Sequence, residues 1–141
     1  METHKINEIV TKKLRGKLSR VNQVHMPDPE YYAPTKQEVI NILKETKVDR
    51  RIYKTKKYDC DDFAFTLKQK FINKAYDESG RRRPYAFGMI WGKLKVGDDW
   101  GAHAINWFID NKNRLWLVEP QTDEIFKPSD SEIQEAWFLY M

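Results

Sequence analysis

The hydrophobic period of this chain changes once, and that change limits the folds open to it. From Cys60 the apolar residues Phe63, Ala64, Leu67, Phe71 and Ala75 recur every three or four positions, one face of a helix running to about Asp77. From Tyr85 the period is two. Tyr85, Phe87, Met89 and Trp91 share one face and Ala86, Gly88 and Ile90 the other, the pattern of a strand extending to about Leu94. Between the two, Glu78-Ser79-Gly80 closes the helix and an arginine run leads to Pro84. Helices before the change and strands after it predict an α+β domain with an antiparallel sheet.

The flanking segments fit that frame. Residues 1–24 carry Ile6, Ile9, Val10, Leu14 and Leu18 at helical spacing, an amphipathic helix broken near Gly16. Met26-Pro27-Asp28-Pro29 is an extended connector, because two prolines so close forbid a regular ladder. Thr35 and Glu38 have the spacing of a capping box before Val39, Ile40 and Leu43, which predicts a helix over 36–47. Residues 49–59 form a lysine- and arginine-rich connector. Downstream, 97–101 reads as a loop, 102–109 as a second strand, 110–113 as a turn, 115–119 as a third strand, and Ile125 with Phe126 as a short fourth. From Ser129 the tail fits either a helix capped by Ser129 and Glu132 or a strand through Trp137-Phe138-Leu139-Tyr140. At 141 residues the chain reads as one domain, 1–141, with 1–30 a helical extension and 58–126 the core.

Composition removes several classes. A hydrophobic share of 40% with 13% aromatics excludes a disordered chain. No apolar run approaches the roughly 20 residues that cross a bilayer, and Met-Glu-Thr-His-Lys lacks the apolar centre of a secretory signal. One cysteine excludes an internal disulfide and suits a reducing cytoplasm. The net charge of +4 comes with basic clusters at 12–17, 50–57 and 81–83 but no recognisable nucleic-acid module, so they read as solvated surface. No nucleic-acid or membrane partner is expected.

The lone cysteine stands where the basic connector meets the helix, in Tyr58-Asp59-Cys60-Asp61-Asp62-Phe63-Ala64. A helix that starts at its cysteine aims free N–H groups and its positive dipole end at the sulfur, which stabilises the nucleophilic thiolate. The flanking aspartates oppose this through like charge and also serve as ordinary acidic first-turn residues. His103 lies near the start of the second strand and Glu119 at the end of the third. An odd number of residues in the loop between them puts both on one face, with His103 opposite Glu119; an even number separates them. In the first arrangement Cys60 is nucleophile, His103 base and Glu119 the carboxylate that sets the tautomer. The Cys60 N–H supplies one oxyanion donor, and Tyr53 or Tyr58 is the remaining choice for a second. One cysteine and one sheet histidine fall short of zinc spacing, so neither metal nor cofactor is expected.

The blocks Asp59-Cys60-Asp61-Asp62-Phe63-Ala64, His103-Ala104-Ile105-Asn106 and Glu119-Pro120-Gln121-Thr122 resemble the transglutaminase-like cysteine proteinases of the papain-like superfamily. They cover residues 58–122 in part. Tyr58 stands for the family's usual glycine and Glu119 for its aspartate. The resemblance implies a papain-like or transglutaminase-like fold, with a cysteine-bearing central helix on an antiparallel sheet. It also implies a cysteine-dependent hydrolase or acyltransferase acting on an amide, peptide or isopeptide bond of a protein or peptide substrate, without a cofactor, through Cys60, His103 and Glu119. The alternative is a catalytically degenerate copy that acts as a protein-binding module.

Overall fold

A computed structural model describes residues 1–18, 24–129 and 131–141. Its helices are α1 (Thr3–Lys13), α2 (Lys36–Thr46) and α3 (Cys60–Asp77), with a short 3-10 turn at Val48–Arg50. The strands are β1 (Phe87–Val96), β2 (Asp99–Ile109), β3 (Leu115–Glu119), β4 (Glu124–Phe126) and β5 (Ile133–Tyr140). They form one antiparallel sheet in the order β4-β3-β2-β1-β5.

Local chemistry accounts for the helix starts. At α2 the Thr35 hydroxyl accepts from the Glu38 N–H at 3.1 Å, and the Glu38 carboxylate accepts from the Thr35 N–H at 2.7 Å. At α3 the Asp62 carboxylate accepts from the Asp59 N–H at 3.1 Å. In both cases a first-turn acid satisfies a donor that the helix itself leaves open. The helix at the N-terminus ends at Lys13, and Gly16 follows with φ +79°. Its expected continuation through 19–23 lies outside the described residues.

The sheet is buried on both faces. On one, Phe87, Phe108, Trp116 and Val118 pack against Val39 and Leu43 of α2 and Phe63, Leu67 and Phe71 of α3. On the other, Ile90, Ile105, Trp107, Leu117 and Leu139 pack against Ile6 and Val10 of α1 and against Leu14. The β3 residues Leu115–Val118 are accordingly a continuous buried run rather than an alternating one. The ambiguous tail is a strand. It reaches β1 so closely that a Cβ on Gly88 would lie 1.9 Å from the Tyr140 carbonyl oxygen. Three side chains complete the hydrogen bonding of β1 there: Lys68 Nζ, Asn106 Nδ2 and Trp107 Nε1 donate to the carbonyls of Phe87, Gly88 and Met89 at 2.7, 3.0 and 3.0 Å.

The β2–β3 connection carries more than turn chemistry. The buried Asp110 carboxylate accepts from the N–H groups of Lys112 and Arg114, both at 2.9 Å, from Arg114 Nε at 2.7 Å and from Trp116 Nε1 at 2.9 Å. Burial alone would raise its pKa, and these donors outweigh burial and hold it below the ordinary value. Ile109 pairs with Leu115, so the loop comprises residues 110–114, an odd number.

Candidate functional site

The odd loop puts His103 and Glu119 on one face, offset along the strands. Asn106 pairs with Val118, so Glu119 falls level with Ile105 rather than with His103. The longer glutamate side chain spans the offset, and the His103 Nε2–Glu119 Oε2 distance is 2.8 Å. The other carboxylate oxygen of Glu119 accepts from the Gln121 N–H at 3.1 Å, which steadies it from the following turn.

His103 is almost fully buried, and its pKa is raised to about 9. Burial by itself disfavours the imidazolium. The nearby Cys60 side chain and the Glu119 carboxylate at 2.8 Å outweigh it. The raised value favours the imidazolium, in which both nitrogens carry protons. Nε2 serves Glu119. The structure thus pairs His103 with Glu119 and sets Cys60 near enough to perturb the imidazole.

Cys60 is the first residue of α3, is half-buried and is not disulfide-bonded. Its helix is seated by Asn106, to which the sequence reading assigned no role. Asn106 Nδ2 donates to the Ala64 carbonyl at 2.9 Å and to Gly88 at 3.0 Å, tying the first turns of α3 to β1 through β2. Ala64 and Ala104, both fully buried beside Met89, let helix and strand approach closely. A polar residue among the inward-facing Ala104, Asn106 and Phe108 was the available signal, since a buried amide is kept only where it is bonded.

Of the two tyrosines considered for a second donor, Tyr58 is committed elsewhere: its hydroxyl donates to Thr66 Oγ1 at 2.7 Å. Tyr53 stacks on Phe63 at 6.5 Å. Desolvation, then the neighbouring Asp59, Cys60 and Asp61, raise its pKa. Asp59, Cys60 and Asp61 also bring potential ligand atoms within 4.8 Å of one another. Two carboxyl groups and a cysteine sulfur match neither the oxygen cage that Ca²⁺ takes nor the nitrogen–sulfur set of a structural zinc. A cavity of about 490 Å³ opens beside His103 and Glu119, lined also by Gln121, Thr122, Glu124 and Phe126.

The fold and site define an antiparallel-sheet domain with a thiol–imidazole–carboxylate row at a helix start. Residues 31–125 match the family described as Agglutinin C-terminal, and the chain belongs to that family. In fold it is similar to the Polyporus squamosus lectin, in a structure bound to a human-type influenza-binding epitope. The TM-score is 0.81 at 18% identity, with 100% of this chain and 49% of the lectin covered. A structure of a PSL1a–E64 complex matches equally well, at TM-score 0.81 and 18% identity, with 50% of that chain covered. The chain thus spans about half the length of these proteins. No curated protein matches it in sequence.

These findings correct the family resemblance. The chain is not a transglutaminase-like cysteine proteinase but an agglutinin C-terminal domain, and the papain-like or transglutaminase-like fold gives way to the fold of these lectin structures. The reason is physical. The three blocks specify one helix start against one hairpin, a local arrangement that does not identify the whole, whereas the family match extends over residues 31–125. The cysteine-dependent hydrolase or acyltransferase on amide or peptide bonds rested on that resemblance, as did its alternative of a protein-binding module, and both fall with it. Among the described residues no helix is long and apolar enough to cross a membrane.

Proposed function

We propose that this chain is the chemically reactive part of a carbohydrate-directed agglutinin. Cys60 is its nucleophile, His103 the acid–base group beside the sulfur, and Glu119 the carboxylate that orients and charges the imidazole. The observation that carries this reading is the buried His103 held by Glu119 at 2.8 Å, with the half-buried Cys60 near enough to perturb the imidazole. An imidazolium held by a fixed carboxylate stabilises the thiolate, the form that attacks an electrophilic carbon. Carbohydrate, rather than a protein, peptide or nucleic acid, is the partner class supported by the agglutinin family and by the lectin whose structure holds a glycan epitope. A working thiol requires a reducing compartment, which suits the cytoplasm.

Iodoacetamide kinetics test the chemical part. Cys60 should be alkylated at least tenfold faster than free cysteine at pH 6–7, and His103→Ala should remove the excess. Ordinary thiol reactivity in the wild type refutes the assignment. For the partner class, a panel of oligosaccharides is titrated while amide resonances are followed. Saturable shifts with at least one glycan are expected, and silence across the panel removes the carbohydrate assignment while leaving the thiol result intact.

A further inference from the structure

The connector that delivers the chain to Cys60 is built, not merely spacer. Lys54 and Tyr58 exchange backbone hydrogen bonds at 2.8 Å in both directions, and Lys57 N–H donates to the Lys54 carbonyl at 2.9 Å. This closes a tight hairpin turn, with Lys56 at its tip in the left-handed region, φ +61°. The turn and the preceding residues border an open cavity of about 480 Å³ lined by Arg51, Ile52, Lys54, Lys57 and Tyr58. Arg51 lies over the Tyr58 ring at 5.3 Å, and Ile52 is 77% exposed.

Three cations therefore line one small cavity, and Arg50 and Lys56 flank it in sequence. None of the five is in an ion pair among the described residues. Several other basic groups do have acidic partners: Lys74 meets Glu45, Arg83 meets Glu30 and Arg114 meets Asp110. Like charges gathered on a hydrogen-bonded turn repel one another, and an anion in the cavity converts that repulsion into attraction. Guanidinium and ammonium donors suit a carboxylate or sulfate group, and the Ile52 side chain with the Tyr58 ring offers an apolar floor for the body that bears it.

We propose that this cavity is an anion subsite for an acidic glycan, a sugar ring carrying a carboxylate or sulfate, with Arg51, Lys54 and Lys57 as its contacts. The glycan class rests on the carbohydrate assignment above; the anion subsite itself does not depend on the thiol chemistry. Its position immediately upstream of Asp59 and Cys60 places a bound acidic sugar next to the helix start that holds the nucleophile.

The test is calorimetric titration with a sulfated hexasaccharide and with its unsulfated counterpart, at two salt concentrations. The sulfated probe should bind, weaken as salt rises, and lose at least tenfold in affinity in the R51Q/K54Q/K57Q variant. The control K5Q/K12Q/K13Q, which removes the same charge from exposed positions on α1, should bind like the wild type. Equal loss in both triple variants, or no preference for the sulfated probe, overturns the subsite. Tighter binding of a short RNA at equal salt, lost in the same variant, overturns the glycan assignment in favour of nucleic acid.

Discussion

Glu119→Gln removes the charge beside His103 while keeping the shape, and it is the most direct test of how the site is held. His103 titrates at about 9 in the folded protein against 6.5 ordinarily. Over that interval, interactions with the imidazolium contribute about 3 kcal/mol, shared between Cys60 and Glu119. The ring is buried, so solvent screening takes little of this. Because the folded pKa lies above the unfolded one, the stabilisation is complete below pH 6.5 and is lost as pH rises through about 9. Losing an adjacent carboxylate should lower the His103 pKa by about 1 to 3 pH units. The variant should then be less stable than the wild type by about 1–3 kcal/mol at pH 6, with the difference shrinking toward pH 9. With three histidines in the chain, the Cε1–H resonances can be assigned and followed through a titration, alongside urea unfolding at each pH. A wild-type His103 titrating near 6.5, or a variant in which it does not move, would refute the ion-pair account.

Other consequences are smaller in scope. Lys68 is buried with its ammonium on the Phe87 carbonyl, and burial lowers its pKa to about 8 from 10.5. Wild-type stability should therefore gain up to about 3 kcal/mol between pH 8 and 10.5 from this group, a rise that Lys68→Met should abolish in pH-dependent urea melts. Asn106→Ala leaves two buried carbonyls without their side-chain donor and should cost about 2–4 kcal/mol, with iodoacetamide reactivity of Cys60 falling as α3 loosens. Gly88→Ala would drive a Cβ into the Tyr140 carbonyl oxygen, so β5 must move; thermal unfolding should show a loss of about 3 kcal/mol or more, against under about 1 kcal/mol for Gly101→Ala, where nothing lies within 4 Å. Asp110→Asn weakens the hub of the β2–β3 turn and should cost about 2 kcal/mol at pH 7. Because the Asp110 pKa is depressed, that deficit should narrow as pH falls below the ordinary aspartate value.

Much of the local structure was legible in the residues alone. The Thr35–Glu38 pair marks the start of α2, the run from Cys60 marks α3 to its last residue, and the alternation after Tyr85 marks the sheet, because caps and hydrophobic periods act over a few residues. The His103–Glu119 face was also conditional on a countable quantity, the parity of the loop. Even the ambiguous tail carried strand composition; what settled it was the close seat that Gly88 opens for β5, a tertiary fact.

What the tertiary structure decided is how those pieces meet. Whether a thiol reaches an imidazole depends on how α3 lies on β2, and that is set by Asn106, Ala64 and Ala104, none of which announces a long-range partner. Whether basic residues are scattered surface or one cavity depends on a turn that folds Lys54 back onto Tyr58. The three blocks around Cys60, His103 and Glu119 encode a local geometry that more than one family can carry. The family match extends over residues 31–125, and the covering of the sheet's second face by α1 is a property of the whole chain and not of any short segment.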